Sequence, residues 1–382
     1  MRIAINGMFL IPSRVGGSET YLRSLVDALG RLETGDEYLL VVGPESAPSF
    51  RLSAPGWRVS ASPIASSRRV ARLFLEQTWL PLLARRARCD LIHSAGYTAP
   101  LLPGTRGVVS IHDMNYKRHP EDFTALERLV YSALIPSAAR TSCHVITLTE
   151  SSKRDIVNWT GVASRNVSAV PGAPRAHWPG DPTEDEVRLA SIGVKSPFVL
   201  SVAASHPHKN LARLVRAFPL ETHDRTQPTL VMVGPRGRGK LELERLAQER
   251  RGQVSVLGWV EDEVLGTLYR RALALAFPTL YEGFGLPILE AMALGTPVVT
   301  SNYGAMSEVA GDAAELVDPL KVESIRQGLQ HVVCDRVRSA QLRERGLERA
   351  SQFTWDRTAR LTHTVYAHVV QHRIAESPHR AR

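Results

Sequence analysis

The sequence is poor in cysteine and has no long uncharged apolar run. Its 382 residues include only three cysteines, Cys89, Cys143 and Cys334, and these are far apart. Their spacing suits neither a zinc site nor a disulfide framework, so we expect a reducing, cytoplasmic compartment. No apolar stretch reaches the roughly 18 residues of a membrane-spanning helix. The opening MRIAINGMFL is typical of a first strand rather than a signal peptide.

The composition is that of an ordinary globular protein. Hydrophobic residues make up 43% and charged residues 22% of the chain, which excludes a disordered or collagen-like protein. The length predicts two domains, at roughly 100–200 residues each. The net charge of +9 favours an anionic partner, and leaves open nucleic acid, anionic lipid or a phosphorylated small molecule.

Short apolar, β-branched runs alternate with amphipathic stretches along the chain. Strands that are apolar on both faces are typical of buried parallel sheets, so the pattern predicts an α/β fold with two doubly wound sheets of six strands each. The predicted strands are 2–6, 38–43, 90–96, 107–113, 144–149 and 167–172, and then 198–203, 229–234, 254–258, 273–279, 297–301 and 313–318. Four prolines between 171 and 182 predict a linker at 173–196, separating domains at 1–172 and 197–352.

Several chemically informative residues follow predicted strands. Ligands of open parallel sheets bind beyond the carboxyl ends of the strands, and two sheets facing each other would place those ends across one cleft. Gly16 and Gly17 follow the first strand, His112 and Asp113 end the fourth, and Gly234 ends a strand of the second half. These positions are therefore candidates for ligand contact.

The segment YEGFGLPILEAMALGTPVV predicts a phosphate site. Pro287 is preorganised for the first turn of a helix, and glycines at 283 and 285 let the backbone approach a ligand. The amides from Gly285 through Ile288 would then meet a diphosphate at the positive end of the helix. Glu282 and Glu290 stand on either side and can accept hydrogen bonds from hydroxyl groups. The segment therefore favours a nucleotide sugar as ligand; a helix start that merely carries two acids is the alternative.

The E-x7-E pattern within EGFGLPILEAMALGTPVV resembles the signature of glycosyltransferase family 4, a family of retaining enzymes with the GT-B fold. Further segments along nearly the whole chain are similar to blocks of that family: GGSETYLRSL, SIHDMNY, HPHKNLARLVRAF, LVMVGPRG, VSVLGWVEDEVLGTLY, SEVAGDAAELVDP and FTWDRTARLTHTVY. The resemblance implies two Rossmann-like domains facing across a cleft, of which the first, at 1–172, binds the acceptor and the second, at 197–352, binds the nucleotide sugar. It also implies that a helix at roughly 353–376 crosses back to the first domain.

The resemblance implies roles for individual residues. Glu282 would contact hexose hydroxyls, Lys209 the diphosphate and His112 the transferred sugar, which makes these three the catalytic candidates. Glu290 would hold the ribose. The implied nucleotide-sugar site consists of Gly16, Gly17, Gly234, Arg236, Val260, Gly283, Phe284, Gly285, Leu286, Pro287, Ile288 and Glu290. No metal ligand and no cofactor are expected.

Some features depart from the pattern or allow a second interpretation. Relatives carry Gly followed by Arg or Thr where this chain has Ala203 and Ala204, so we expect Arg236 or Arg238 to assist Lys209. GPRGRGKL fits most of a P-loop, but a leucine replaces the hydroxyl residue that would hold magnesium. His112 is either a satisfied core histidine or a sugar contact.

The segment 68–88 predicts a basic amphipathic helix. Residues 51–90 contain eight arginines and two acids, and leucines with an aromatic pair supply an apolar face. Such a helix either lies on anionic lipid at the inner face of a membrane or packs on the sheet with its arginines in water. Both interpretations remain open at this point.

Together these patterns predict a metal-independent, retaining hexosyltransferase. The resemblance favours mannose from GDP-mannose, with UDP- and ADP-sugars as other donors, and a saccharide or lipid-linked saccharide acceptor in surface polysaccharide synthesis. No nucleic acid partner is expected. The alternatives are a nucleotide-sugar epimerase of the same fold and a noncatalytic nucleotide-sugar-binding protein.

Overall fold

The computed structural model describes residues 1–12, 16–52, 54–102, 106–220 and 227–376, with side chains up to residue 371. Within these residues the chain forms two compact units. The first unit comprises Met1–Met114, Ala125–Gly172 and the segment that begins at Thr354, and the second comprises Asn115–Thr124 and Ala173–Phe353. The short segment after the fifth strand therefore belongs, by its contacts, to the second unit.

The elements of the described residues alternate between strands and helices. The strands are β1 (Arg2–Gly7), β2 (Glu37–Val42), β3 (Trp57–Ala61), β4 (Leu91–Ser94), β5 (Arg106–Ser110), β6 (His144–Thr147), β7 (Val167–Ala169), β8 (Phe198–Val202), β9 (Thr229–Val233), β10 (Val254–Gly258), β11 (Ala274–Phe277), β12 (Val298–Ser301) and β13 (Glu315–Val317). The helices are α1 (Gly17–Gly30), α2 (Arg69–Arg86), α3 (Asn115–Arg118), α4 (Ala125–Thr141), α5 (Glu150–Thr160), α6 (Asp185–Ser191), α7 (Leu211–Arg216), α8 (Lys240–Glu249), α9 (Asp262–Arg271), α10 (Leu286–Ala293), α11 (Gly304–Ala310), α12 (Val322–Cys334), α13 (Arg336–Ser351) and α14 (Trp355–Glu376).

Each unit is built on one parallel sheet. The strand order is β3-β2-β1-β4-β5-β6-β7 in the first unit and β10-β9-β8-β11-β12-β13 in the second, and all recorded pairings are parallel. In both sheets the order reverses beside the first strand, between β1 and β4 and between β8 and β11. Ligands of doubly wound sheets bind at this switch point. The predicted fold class, two Rossmann-like doubly wound sheets, is confirmed.

The prediction of six strands in the first half is wrong, because the sheet of the first unit has seven described strands. The additional strand, β3, lies at the edge of the sheet and is only partly buried. Its sequence, WRVSA, places a charged residue in the run, so it lacks the continuous apolar character of the inner strands. Trp57 nevertheless stacks on Tyr38 of β2, with 4.4 Å between ring centroids.

The segment 173–196, whose prolines predict a linker, contains an ordered helix. Asp185 at the start of α6 accepts hydrogen bonds from Thr267 Oγ1 (2.7 Å) and from the guanidinium of Arg270 on α9. The sequence does not predict this helix, because α6 spans only seven residues and lies among prolines. At the other end of the chain, α14 packs on α1, β5 and β6 of the first unit. Within the part of the chain described, no helix is both long and apolar enough to cross a membrane.

The core of the second unit lies between its sheet and the helices on one face. Side chains of β8, β9, α7, α8, α12 and α13 form one apolar cluster, including Val199, Phe218, Leu230, Ile325 and Leu342. In the first unit, α2 packs on the sheet through Leu80 and Ala84, against residues of β1, β2 and β4. Packing of α2 on the sheet therefore uses only part of its apolar surface.

Candidate functional site

The switch point of the second sheet brings together two of the predicted catalytic residues. Lys209 ends a 3-10 turn after β8, and Glu282 follows the neighbouring strand β11. Lys209 Nζ donates a hydrogen bond of 2.6 Å to Glu282 Oε1, and both side chains are mostly buried, with 18% and 14% exposed. A positive and a negative side chain thus meet at the position where this fold binds ligands.

The turn that carries Lys209 is anchored to the loop after β11. Asn210 adopts a left-handed conformation, with φ of 61°. Its side-chain amide donates to the carbonyl oxygens of Pro278 (2.9 Å) and Pro319 (2.7 Å). The carbonyl of His208 in turn accepts a hydrogen bond from the backbone N–H of Leu280 (2.8 Å). Hydrogen bonds of the residues before and after Lys209 therefore fix the backbone that carries its side chain.

A buried carboxylate supports the same turn from the segment after His112. Asp122 accepts a hydrogen bond from His208 Nδ1, and its other oxygen lies 3.6 Å from His206 Nδ1. Burial alone would raise the pKa of Asp122, but the hydrogen bonds and charges of the two histidines hold it well below its usual range. The imidazole of His119 stands 5.6 Å from that of His208 between ring centroids. Sequence patterns did not reveal this cluster, because Asp122 lies 86 positions from its partner.

The helix α10 begins in the glycine segment, as the sequence predicts. Gly285 precedes it with φ of 97°, a conformation that favours glycine. Pro287 has no N–H, and the N–H of Ile288 donates to the carbonyl of Gly285 at 2.9 Å. The diphosphate hypothesis therefore depends on the N–H groups of Gly285 and Leu286 rather than on the whole first turn. Phe284 is buried and packs edge-on against Phe353, with 6.1 Å between ring centroids.

Glu290, the predicted ribose contact, lies in a buried polar cluster. Tyr269 Oη donates to its Oε2 at 2.9 Å, and Arg175 Nε lies 3.5 Å from its Oε1. Burial raises the pKa of Glu290, while Arg175 and Tyr269 oppose that shift. Arg175 also pairs with Asp262 at the start of α9 and lies over the ring of Trp178. A ribose hydroxyl that bound Glu290 would have to share its carboxylate with Arg175.

Gly234 and the P-loop-like segment pack against the loop after β8. A Cβ at Gly234, where φ is 147°, would lie 2.2 Å from the carbonyl oxygen of Ala203. The N–H of Gly237 donates to Ser205 Oγ, and the N–H of Gly239 to the carbonyl of Ser205, both at 2.7 Å. The glycines of GPRGRGKL therefore permit the close approach of a second loop, which explains the P-loop-like spacing without an NTPase.

Arg236 lies apart from the Lys209–Glu282 pair. It is exposed and lines a cavity of about 720 Å³ between β9, β10 and α8, together with Lys240 and Arg251. The described lining of this cavity includes Gly234 but not Lys209 or Glu282. Val260 is half-buried, between the end of β10 and the start of α9. Assistance of Lys209 by Arg236 or by Arg238 stays a prediction.

The remaining candidates belong to the first unit. Gly16 precedes α1 and Gly17 is its first residue; a Cβ at either position would meet no described atom within 4 Å. His112 is buried at 6% exposure, and neither of its ring nitrogens has a hydrogen-bond partner among the described residues. Burial lowers the pKa of His112 to about 4, so the ring is neutral near pH 7. The aromatic rings of Tyr21 and Tyr97 face it edge-on. His112 is thus a buried, neutral core histidine, and the backbone of Ala95 lies close to its ring.

Metal-ligand geometry is absent from the described part of the chain. No group of three or more histidine, cysteine, aspartate or glutamate side chains there is arranged to hold an ion. The Asp122–His206–His208 cluster is accounted for by its own ion pairs. Metal independence of the reaction stays a prediction.

Comparison with known proteins gives matches over both units. Residues 184–349 match the family model described as Glycosyl transferases group 1, and residues 15–173 match that described as Glycosyltransferase Family 4. O-antigen chain mannosyltransferase B of Escherichia coli is 31% identical over 277 residues, which cover 68% of this chain and 70% of that protein. O-antigen chain mannosyltransferase RfbU of Salmonella typhimurium is 26% identical over 258 residues, covering 66% and 68%. Among solved structures, sucrose-phosphate synthase of Thermosynechococcus elongatus has a TM-score of 0.77 at 20% identity, covering 97% of this chain and 99% of that one; the match concerns the fold alone.

Proposed function

Because this chain belongs to the group 1 glycosyltransferases, we propose that it is a retaining, metal-independent enzyme of the GT-B class. It transfers mannose from GDP-mannose to a saccharide or a lipid-linked saccharide during surface polysaccharide synthesis. Two relatives named as O-antigen chain mannosyltransferases support the sugar and the process. Neither relative's name favours an epimerase or a noncatalytic binding protein.

The observation that carries this proposal is the pairing of Lys209 with Glu282 at the switch point between β8 and β11. Departure of a nucleoside diphosphate concentrates negative charge on a phosphate oxygen. An ammonium group and helix-start amides that are already in position stabilise that charge without reorganisation. In this role Lys209 transfers its hydrogen bond from Glu282 to the diphosphate.

Release of Lys209 frees the carboxylate of Glu282 for the hexose. A carboxylate accepts hydrogen bonds from hydroxyl groups and cannot usefully contact phosphate. Glu282 therefore positions the sugar, and the acceptor attacks the anomeric carbon from the side on which the phosphate leaves. The departing phosphate oxygen takes the acceptor proton. Configuration is retained without a covalent enzyme intermediate.

His112, in the first unit, binds a hydroxyl group of the sugar through its neutral imidazole. Among the described residues neither ring nitrogen makes a hydrogen bond of normal geometry, although the backbone of Ala95 lies close, and a buried hydrogen bond that is left unmade costs about 1–3 kcal/mol. A sugar hydroxyl that bonds to the ring would recover that energy. The neutral imidazole has one donor and one acceptor, so it can either donate a hydrogen bond to a hydroxyl group or accept one from it.

A donor panel tests the reaction. Purified protein is incubated with GDP-mannose, UDP-glucose or ADP-glucose, with and without octyl α-D-mannopyranoside, and nucleotide release is measured. We expect GDP release that depends on the acceptor, and NMR of the product should show an α linkage formed from the α-linked donor. Release that ignores the acceptor, or an inverted linkage, would refute the proposal. Glu282→Gln should lower turnover by at least about a hundredfold.

We further propose that the first unit contacts an anionic membrane through α2 and α4. Val70 and Phe74 of α2 are 83% and 66% exposed, and Leu126 and Leu129 of α4 are 68% and 69% exposed. Arg69 Nη1 pairs with Glu127 Oε1 at 2.7 Å and joins the two helices. Exposed apolar side chains beside exposed arginines, here Arg68 and Arg128, match the apolar and anionic layers of a lipid surface. Such a contact would bring the enzyme to the cytoplasmic face of the membrane, within reach of a lipid-linked acceptor.

Vesicle flotation tests the membrane surface. With vesicles of phosphatidylcholine and phosphatidylglycerol at 4:1, we expect the wild type to float, and Phe74→Glu/Leu129→Glu to remain in the lower fraction. The control Val187→Glu introduces the same charge at an exposed apolar residue of the second unit, 73% exposed, and should float normally. Equal flotation of all three proteins would contradict the proposal.

A further inference from the structure

A charged pair lies buried in the first unit, away from the residues assigned above. Arg72 and Glu76 stand one turn apart on α2, so they share a face of the helix. Glu76 is only 4% exposed, and its Oε1 has no hydrogen-bond partner among the described residues. The Nε of Arg72 is likewise buried without a partner there, although the residue as a whole is only half-buried.

The pair faces the switch point of the first sheet. Asn6 lies near the end of β1, and Thr98 follows the neighbouring strand β4; Thr98 Oγ1 donates to Glu76 Oε2 at 3.1 Å. The side chain of Asn6 donates to Ser94 Oγ at 3.2 Å. The order of the sheet reverses between β1 and β4, which is where a doubly wound sheet binds its ligand.

Gln77, the residue after Glu76 on α2, has a purely structural role and serves as a comparison. Gln77 Nε2 donates to the carbonyl of Ala99 at 3.0 Å, and its Oε1 accepts from the N–H of Leu101 at 2.8 Å. Both polar ends of Gln77 are thus used to hold the loop after β4. Glu76 is more deeply buried, yet among the described residues only its Oε2 accepts a hydrogen bond of normal geometry, from Thr98, while the side chain of Asn6 lies close to the carboxylate.

Burial of such a pair opposes folding. Burial raises the pKa of Glu76, while Thr98, Arg72 and Asn6 oppose the shift; burial also lowers the pKa of Arg72. An unsatisfied buried polar group destabilises a fold, and more so when it is charged. Further along α2, Leu80 and Ala84 complete the packing on the sheet without polar groups. The fold therefore gains little from the carboxylate and the guanidinium at these positions.

We propose that Glu76 and Arg72 bind hydroxyl groups of the saccharide acceptor at the switch point of the first sheet. The carboxylate accepts a hydrogen bond from one hydroxyl, and the guanidinium donates to a neighbouring oxygen. Arg72 is half-buried, whereas Asn6 and Thr98 are buried beside the carboxylate and hold its surroundings through hydrogen bonds to Ser94 and to Glu76. This inference rests on the proposed function and adds to it that the first unit binds the acceptor.

Acceptor kinetics combined with thermal unfolding test the inference. Transfer from GDP-mannose to octyl α-D-mannopyranoside is measured for the wild type, Glu76→Gln and Arg72→Gln, together with the Kd for GDP. We expect both variants to lose about tenfold to a hundredfold in kcat/KM for the acceptor, chiefly through KM. The Kd for GDP should not change. Glu76→Gln should keep or raise the Tm, because it removes a buried charge and keeps an oxygen for Thr98.

The control is Glu33→Gln, the same substitution at an exposed residue of the first unit, which should alter neither KM nor Tm. An unchanged acceptor KM in Glu76→Gln would overturn the inference while leaving the proposed function intact. A large loss of Tm in both variants, with weaker GDP binding, would show a structural role and overturn it as well. If the wild type transfers nothing, the proposed function fails, and this inference fails with it.

Discussion

Replacement of Lys209 by methionine separates its catalytic role from its structural one. The change keeps the length and apolar stem of the side chain but removes the ammonium group that donates to Glu282 at 2.6 Å. If this group stabilises the leaving diphosphate, its loss should cost about 2.7–4 kcal/mol in the transition state, a decrease in kcat of about 10²–10³-fold.

The expected effect on stability is much smaller. The side chains of Lys209 and Glu282 are 18% and 14% exposed, so their pair lies between a surface ion pair, worth about 0.2–1 kcal/mol, and a fully buried one. The turn is also held by Asn210 through two hydrogen bonds that the substitution leaves in place. We therefore expect Lys209→Met to destabilise the protein by about 1 kcal/mol, or about 2–4 °C in Tm.

The assay follows GDP release from GDP-mannose in the presence of octyl α-D-mannopyranoside, beside a thermal melt of each protein. Lys321→Met is the matched control, since Lys321 also pairs with a carboxylate of the second unit, Asp318, at 3.1 Å, but is 75% exposed. The control should retain wild-type turnover. A kcat of Lys209→Met within threefold of the wild type would refute the catalytic role. A fall in Tm of 10 °C or more would attribute the lost activity to unfolding.

Much of the fold could be predicted because the inner strands are apolar on both faces. The run at β11 is buried throughout, and those at β1 and β8 are buried except for one end residue; a continuous run of this kind is a local signal. The edge strand β3 lacks that signal, since one side of an edge strand has no neighbour and tolerates Arg58. A half-exposed edge strand of this kind therefore has no continuous apolar run from which it could be predicted.

The candidate site was predictable only where its residues are close in sequence. The start of α10 carries a local signature, and it predicts the helix that begins directly after Gly285 and the loop that carries Glu282. Other contacts of the site come from distant segments. Asp122 supports the turn that carries Lys209, and Arg175 pairs with the carboxylate of Glu290. Neither contact leaves a trace in periodicity or spacing, because hydrogen bonds between distant loops depend on the assembled sheet.

Three further predictions follow from the same geometry. Gly234→Ala should destabilise the protein by about 2–4 kcal/mol, since its Cβ would lie 2.2 Å from the carbonyl oxygen of Ala203 at a φ of 147°; a melt with an unchanged Tm would contradict the close approach. Glu290→Gln should keep the Tm, because burial already raises the pKa of that carboxyl, and should raise the KM for GDP-mannose about tenfold if the carboxylate binds ribose; an unchanged KM would remove that role. For Asp122 the pKa is held below its ordinary value of 3.8 in the folded state, so its hydrogen bond with His208 stabilises the fold above that value, and this contribution is lost as the pH falls through and below it. The difference in Tm between the wild type and Asp122→Asn should thus be present above about pH 4 and should shrink as the pH falls below it; parallel curves of Tm against pH would show that the carboxylate is not charged in this cluster.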